Sequence, residues 1–324
     1  MQNRIDRVAI IGAGGHIGSA MAKELLKIGK TVTGLTRAAS TSNLPSGVKA
    51  IVIDYDDESS LIKALEGQDF LIISLAIRAP AETHSKIVRA AAKAGIQYIM
   101  PNVYGYDFWG NEKLGNDTTL GPQFGVYWED VKKAGIHSVV LTCGYWYEWS
   151  LGLGEDLFGF DIKKRSGVLL DGGNVKINTS TWAQCGRAVA ALLNLPILQQ
   201  DQSDTSATIS RYFDNMLFIS SFRVSQRDMY ESLKRVTGTT DADWNIREDN
   251  AERRWKEASE RVAKGDFSAH PMRIYSRIFF DNGDGDYETS HGLDNDVLGL
   301  PREDLDAATR ETIRMLENNE LPVH

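Results

Sequence analysis

The strongest constraint on the fold is a short apolar run that leads through glycines into an amphipathic helix pattern. Residues 8–11 are all apolar, and a run this short suits a buried parallel strand. The chain then reads Gly12-Ala13-Gly14-Gly15-His16-Ile17-Gly18, and apolar residues recur at 17, 21, 25 and 28, the spacing of one helix face. A strand, a glycine-rich turn and a helix in this order predict a nucleotide-binding βα unit.

The glycines of this turn have separate expected roles. Gly12 permits the tight turn, Gly15 lets the backbone approach a pyrophosphate, and Gly18 lets the helix pack close to the strand. The free N–H groups at the start of the helix then face the phosphates. The predicted phosphate-binding residues are Gly12, Gly14, Gly15, His16, Ile17 and Gly18. The spacing G-x-x-G-x-x-G departs from the commonest dinucleotide pattern, and a turn without a ligand remains the alternative.

Glycines at regular places predict the architecture of the first half. Four of them end helical patterns shortly before an apolar strand pattern, where a left-handed helix cap is expected. They are Gly29, Gly67, Gly95 and Gly135. Strand patterns follow at 32–35, 70–75, 98–100 and 138–141, and a further one lies at 48–53. Strands that alternate with helices favour an α/β fold with a doubly wound parallel sheet, a Rossmann domain over residues 1–150.

The second half, residues 151–324, loses this rhythm and predicts a smaller α+β substrate domain, interleaved with the first. Its predicted elements are a hairpin of 168–170 with 175–177, a helix over 182–193, a strand over 215–224, a serine-capped helix over 225–236, a charged surface helix pair within 240–270 and a last helix over 301–316. The polar run 281–286 superficially resembles a calcium loop, but Glu288 comes too early and Gly283 is misplaced, so no metal site is expected.

Composition excludes several classes of protein. A net charge of −8 disfavours a nucleic-acid surface, and no run of 18 apolar residues indicates a membrane span. The first strand begins by about residue 7, which leaves no room for a signal peptide. Cys143 and Cys185 suggest neither a disulfide framework nor a metal cluster, and are expected to be reduced, buried thiols. These features predict a cytoplasmic protein.

The end of the second predicted strand indicates which cofactor the unit binds. An NAD-binding unit places a carboxylate there, but this chain has Thr36-Arg37 and, behind them, the hydroxyls of 40–42. A guanidinium matches the oxygens of a 2′-phosphate, so NADP(H) is predicted, with a solvated arginine as the alternative. Asp54, at the end of the third strand, either borders the adenine or caps the next helix.

Motifs spread over nearly the whole chain carry a family resemblance. They are Gly12-Ala13-Gly14-Gly15-His16-Ile17-Gly18, Thr36-Arg37, Pro101-Asn102-Val103-Tyr104-Gly105, Ala134-Gly135-Ile136, Gly144-Tyr145-Trp146-Tyr147-Glu148-Trp149, Val175-Lys176-Ile177, Gly186-Arg187-Ala188-Val189-Ala190 and Leu298-Gly299-Leu300-Pro301. With them the chain resembles the NmrA-like, isoflavone-reductase-like family of atypical short-chain dehydrogenases, in a subgroup that looks fungal.

The resemblance implies where the ligands bind. NADPH is expected along the carboxyl edge of the sheet, with a small C-terminal domain closing over an aromatic or secondary-metabolite substrate. The cofactor contacts expected on that edge, beyond the glycine turn, are Thr36, Arg37, Asp54, Leu75, Ala76, Pro101, Asn102 and Val103.

The catalytic residues depart from the family pattern. The Tyr-x-x-x-Lys pair of common short-chain dehydrogenases is missing, because Tyr127 is followed four residues later by Val131. The lysine that isoflavone-reductase relatives carry before Gly135 has no counterpart near 123–124. Lys113, in a loop expected over the nicotinamide, is the substitute proton donor, with a surface lysine paired to an acid as the alternative. Tyr104 either bonds a substrate oxygen or walls the nicotinamide pocket.

An aromatic cluster after the sixth strand of the Rossmann pattern predicts a pocket for a planar ligand. Its members are Tyr145, Trp146, Tyr147 and Trp149. An extended segment would point Trp146 away from the other three. The structural alternative is that these rings cement the second domain onto the sheet.

Together these features predict an NADPH-dependent reductase of a small aromatic or polyketide-type metabolite. An NADP sensor without redox activity and a non-redox isomerase or cyclase remain alternatives. The sequence does not determine whether the protein is a monomer or a homodimer.

Overall fold

The structure is a computed structural model that describes residues 3–38, 40, 43–76 and 79–321. The strands are β1 Arg7–Ile11, β2 Thr31–Arg37, β3 Lys49–Ile53, β4 Phe70–Ile73, β5 Tyr98–Met100, β6 Tyr104–Gly105, β7 His137–Thr142, β8 Tyr145–Trp146, β9 Phe160–Asp161, β10 Ser166–Leu170, β11 Lys176–Ser180, β12 Asn215–Phe218, β13 Phe222–Ser225 and β14 Asn245–Asp249. The α-helices are α1 His16–Lys27, α2 Glu58–Leu65, α3 Ala81–Lys93, α4 Glu112–Thr118, α5 Leu120–Lys133, α6 Tyr147–Gly152, α7 Trp182–Asn194, α8 Gln226–Thr237, α9 Ala251–Ala263, α10 His270–Ile278, α11 Tyr287–His291 and α12 Leu305–Glu317.

The main sheet has eight parallel strands, as the alternating pattern of the first half predicts. Seven of them lie in the order β12-β7-β5-β4-β1-β2-β3, and β6 adds to β7. The chain moves outward from β1 in both directions, so the sheet is doubly wound. Such a sheet binds ligands at the carboxyl ends of its strands, where the order reverses, here between β1 and β4.

The sheet is buried on both faces, which explains the continuous apolar runs of its central strands. In β1, Val8 and Ile10 pack into the layer that holds α1 and α7, whereas Ala9 and Ile11 pack into the opposite layer, against α2 and α3. The predicted helix face of α1 is correct as far as Leu25. Ile28 is the C-cap residue and is 40% exposed, so it lies outside that face.

The two smaller sheets of the second half correct two predictions. The predicted hairpin is wrong: β10 pairs with β9 and β14, and β11 pairs with β8 and β13. The predicted single strand 215–224 is two strands in different sheets, because the chain leaves the main sheet after β12 and reverses before β13. A second hydrophobic cluster lies between these sheets and helices α6, α8 and α10.

The remaining predictions concern where helices begin and end. The four predicted glycine caps have positive φ, between 70° and 83°. Ser225 caps α8 in a capping box, and Gly238 ends it in the left-handed conformation. The last helix begins at residue 305, after its cap Asp304, and not at 301. The segment 240–270 holds β14 and α9 in place of a helix pair.

The second half also contributes to the nucleotide-binding layers. β12 is an edge strand of the main sheet, and α7 packs closely on α1. A side chain at Gly186 of α7 would lie 2.6 Å from the carbonyl oxygen of Ala20, so the two helices approach at backbone distance. The division at residue 150 stays a prediction. Cys143 and Cys185 are both buried and free, and no helix of the described ranges is long and apolar enough to cross a membrane.

Candidate active site

The glycine turn between β1 and α1 has the geometry of a phosphate loop. Gly12 has φ +82°, and a Cβ there would lie 2.0 Å from the carbonyl oxygen of Ser74. A Cβ at Gly18 would lie 2.2 Å from the carbonyl oxygen of Gly12. Gly15, by contrast, is exposed, and its Cβ would meet only that same oxygen, at 3.3 Å. Gly12 and Gly18 therefore have the structural roles predicted for them, and Gly15 faces outward.

The start of α1 leaves backbone donors available to a ligand. Its N-cap is Gly15, which has no side chain to accept a hydrogen bond from the first turn. Each uncapped helix N-terminus carries unpaired N–H groups and a partial positive charge, and an anion satisfies both. No acidic side chain stands in this first turn, which runs through His16, Ile17 and Gly18 after Gly14. The arrangement suits a pyrophosphate.

A cleft of about 390 Å³ opens where β2 and β3 end, and it brings Arg37 and Asp54 together. Arg37 is exposed beside Tyr55, and among the described residues no carboxylate forms an ion pair with its guanidinium. Asp54 does not cap α2, because Asp57 accepts hydrogen bonds from the first turn of that helix. The capping alternative for Asp54 is therefore wrong.

Lys86 also lines this cleft, where it pairs with Asp56 at 2.5 Å. The hydroxyl of Thr36 lies 3.4 Å from the carbonyl oxygen of Arg37. Thr41 and Ser42, expected behind Arg37, lie outside the described residues.

The loops after β4 and β5 meet at the same edge of the sheet. The backbone N–H of Leu75 donates to Oδ1 of Asn102 at 2.9 Å, which fixes that amide between the two strands. Ala76 is exposed next to Leu75, and Val103 N–H donates to the carbonyl oxygen of Pro101 at 2.7 Å. These five residues line the place at which a doubly wound sheet presents the second half of a dinucleotide.

Tyr104 is held at this edge by its own hydroxyl. Its Oη donates to the carbonyl oxygen of Ile73 at 2.9 Å, and burial raises the pKa of the phenol far above its ordinary value. A phenol that is engaged with a backbone carbonyl and difficult to ionise makes a poor proton donor. The geometry favours the second interpretation of Tyr104, a wall of the pocket.

Lys113 lies on α4 and not in a loop. The helix begins after its cap Asn111, and the ammonium pairs with Asp117 one turn later at 2.8 Å. The side chain is 73% exposed, and Asp117 also binds the fully buried Arg277 at 2.6 Å. This is the arrangement of a surface lysine paired to an acid. A catalytic role for Lys113 stays a prediction that the geometry does not support.

The predicted aromatic cluster is split between two environments, because the segment turns helical at Tyr147. The expected extended alternation is therefore wrong from that residue on. Tyr147 is fully buried, and its hydroxyl shares a hydrogen bond with Thr309, so it belongs to the core of the second half. Tyr145 also packs into that core, 4.4 Å from Tyr275 between ring centroids. For these two residues the structure favours the structural alternative, in which the rings pack in the core and do not bind a ligand.

Trp146 faces the cofactor edge in a line of four rings, which we name the aromatic row: His16, Trp182, Trp146 and Tyr104. His16 stacks on Trp182 at 4.2 Å with an angle of 8° between the planes. Trp146 lies 6.2 Å from both Trp182 and Tyr104. Trp149 is half-buried and packs at the margin of the same cluster. The row runs from the phosphate loop to the residue that follows Val103.

Sequence reasoning missed Trp182, and also the buried carboxyl of Glu148. Both oxygens of Glu148 lie within 3.2 Å of the backbone N–H of Trp182, at the start of α7. Burial, with smaller contributions from Glu303 and Glu311, raises the pKa of Glu148 to about 8. No local pattern indicates either residue, because the contact joins α6 to α7 across more than thirty positions.

Comparisons with known proteins show an NAD(P)H-binding region and oxidoreductase relatives. Residues 12–135 match a family model described as NAD(P)H-binding. The oxidoreductase aprR of Aspergillus flavus is 29% identical over 312 residues, which cover 93% of this chain and 96% of aprR.

Solved structures share the fold. One match comes from crystal structures of pinoresinol-lariciresinol and phenylcoumaran benzylic ether reductases, which were compared with isoflavone reductases. It superposes on this chain with a TM-score of 0.73 at 16% identity. The match covers 95% of this chain and 99% of that one. AtPrR2, solved with NADP+ and (+)-pinoresinol, has a TM-score of 0.69 at 14% identity over 96% of this chain and all of that one. The fold of this chain is therefore that of these reductases.

Proposed function

We propose that this chain belongs to the isoflavone-reductase-like family and is an NADPH-dependent reductase of a small planar aromatic compound. The observation that carries the proposal is the presence, along one sheet edge, of an uncapped helix start, the exposed guanidinium of Arg37 and the aromatic row. The name of aprR and the NADP+ held by AtPrR2 support the activity and the cofactor.

The chain's own residues suit each part of the cofactor. The start of α1 takes the pyrophosphate, and Arg37 takes the 2′-phosphate at the cleft beyond β2. Asp54, in the same cleft, offers carboxylate oxygens to the amino group of adenine. Asn102, oriented by the N–H of Leu75, would contact the nicotinamide. When bound, NADPH supplies a hydride from C4 of that ring.

Arg37→Ala is expected to weaken NADPH binding by about ten- to a hundredfold, because a charge-assisted contact to phosphate is lost. NADH, which has no 2′-phosphate, should bind almost as before. Titration of each cofactor by fluorescence measures both effects. Arg89→Ala, an exposed arginine on α3 that does not line the cleft, is the matched control. Equal losses for the two cofactors would show that Arg37 serves the fold.

We propose that water supplies the proton of the reduction. The hydroxyl of Tyr104 and the ammonium of Lys113 are both engaged with other groups. His16, Tyr104 and Trp146 are only half-buried, so solvent reaches this edge. Loss of NADPH absorbance with a panel of aromatic ketones and enones tests the reductase. A protein that binds NADPH but oxidises it with no member of the panel would favour the sensor or the isomerase.

Lys113→Met is expected to change kcat by less than about threefold and to leave NADPH affinity unaltered, because the ammonium is solvated and paired with Asp117. Steady-state kinetics with the best substrate of the panel measures the change. Lys93→Met, which removes another exposed, ion-paired lysine far from the site, is the control. A fall in kcat of tenfold or more, at unchanged cofactor affinity, would restore Lys113 as the proton donor.

A further inference from the structure

Three buried polar groups beside the aromatic row have no hydrogen-bond partner among the described residues. They are the indole Nε1–H of Trp146, the hydroxyl of Ser180 and the indole Nε1–H of Trp182. Ser180 is fully buried and Trp182 is 5% exposed. Buried donors are nearly always paired. Nine buried side-chain polar atoms of the described residues lack a partner, and three of them lie on neighbouring side chains here, which points to a group that binds there.

The fold explains why these groups lie together. Ser180 of β11 and Trp146 of β8 are register partners in adjacent parallel strands, so their side chains project from the same face. Trp182 follows at the start of α7, and its ring lies 6.2 Å from that of Trp146. The neighbouring register pair, Thr179 and Tyr145, is turned to the other face, where Thr179 donates to the carbonyl oxygen of Tyr145.

The rings around the orphans belong to the cofactor edge. Trp182 stacks on His16 of the phosphate loop, and Trp146 lies beside Tyr104. The three polar groups therefore lie beside the aromatic row, which ends at Tyr104, two residues after Asn102. A flat ring that lies against the two indoles would place a substituent among two N–H donors and one hydroxyl.

We propose that Trp146, Ser180 and Trp182 bind the carbonyl oxygen of a planar aromatic ketone or enone, a substrate class that rests on the proposed function. Indole N–H groups can only donate, so they select an oxygen acceptor over a methylene group. Bound NADPH would supply the hydride that adds to the carbonyl carbon; the C=O electron pair would move to that oxygen, which would take a proton from water. The two N–H donors stabilise the negative charge that develops there.

The test compares two probes of equal shape, 2-acetylnaphthalene and 2-ethylnaphthalene, on protein loaded with NADP+, which cannot reduce either. Equilibrium dialysis measures both affinities, independently of the tryptophan content of each variant. The ketone should bind wild type about tenfold more tightly than the hydrocarbon. Trp182→Phe and Trp146→Phe, which keep a ring but lose the N–H, and Ser180→Ala should each reduce ketone affinity about three- to tenfold. Each should change hydrocarbon affinity less than about twofold.

Trp255→Phe is the matched control, because its indole N–H donates to the carbonyl oxygen of Asp117, away from the row. It should leave both affinities unchanged. Equal binding of the two probes to wild type, equal losses for both probes in the variants, or no binding of either probe would overturn the inference. NADP+ affinity is measured separately on the same samples. A protein that does not bind NADP+ contradicts the proposed function itself, whereas intact NADP+ binding without probe discrimination contradicts only this inference.

Discussion

Gly15→Val is expected to lower NADPH affinity by at least about a hundredfold while the protein stays folded. The valine side chain would project outward over the start of α1, where its Cβ meets only the carbonyl oxygen of Gly12 at 3.3 Å. The backbone at this position is extended, with φ −79° and ψ 168°, a conformation that valine adopts readily. The cost therefore falls on the pyrophosphate and not on the fold. Fluorescence titration with NADPH and a melting curve without cofactor separate the two.

Gly18→Val is the matched contrast within the same turn. A Cβ there would lie 2.2 Å from the carbonyl oxygen of Gly12, so this variant should melt well below wild type even without cofactor. If Gly15→Val keeps its affinity for NADPH in a folded protein, the pyrophosphate does not bind at this turn. If both variants lose stability alike, the outward position of Gly15 is wrong.

The free energy of unfolding of wild type is expected to fall strongly as the pH rises, and Glu148→Gln is expected to remove this fall. Desolvation holds the pKa of this carboxyl at about 8, against 4.5 for the free group. The folded state therefore keeps a proton that the unfolded chain loses between these two pH values. Stability from this group is complete below the unfolded pKa, declines as the pH rises, and is lost above the folded pKa. The total amounts to about 5 kcal/mol.

The glutamine variant isolates this effect because it is neutral at every pH and can still accept the N–H of Trp182. Between about pH 6 and pH 8 wild type should lose about 2 kcal/mol relative to the variant. Urea unfolding across this range measures the difference. Glu303, which contributes to the raised pKa of Glu148, forms an ion pair with Arg187.

Glu260→Gln, at an exposed position on α9, controls for the loss of one carboxylate. It should follow the wild-type curve. Parallel stability curves for wild type and Glu148→Gln over this pH range would show that the buried carboxyl is ionised in the native state already at the lower end.

Much of the fold could be predicted from the sequence because its determinants are local. The run at 8–11 is apolar on both faces, and the structure buries it between two layers, as such a run requires. The glycines that end helices have positive φ wherever the pattern predicts a cap. Arg37 and Asp54 meet in one cleft because Arg37 ends β2 and Asp54 follows β3, and parallel neighbours end at the same edge.

The prediction was weakest where one short pattern fits several partners. The runs 168–170 and 175–177 are separated by a turn pattern and read as a hairpin, yet each strand finds its neighbours elsewhere. The residues of one short segment do not indicate that β10 pairs with β14, because the two strands lie far apart in the sequence. Lys113 shows the same limit for a side chain, since its partner Asp117 is one helical turn away on a helix that the pattern did not indicate.

By itself the sequence determined the doubly wound sheet and the glycine turn between β1 and α1, because backbone conformation and strand burial depend on neighbouring residues. It also places Arg37, and not a carboxylate, at the end of β2. Only the tertiary structure decided which aromatic rings face the cofactor edge. It turned Tyr145 and Tyr147 into the second core and aligned Trp146 with Trp182 and His16. It also buried Glu148 against the start of α7. Such contacts join residues far apart in the chain, and their energies depend on the packing and desolvation of groups that no local pattern brings together.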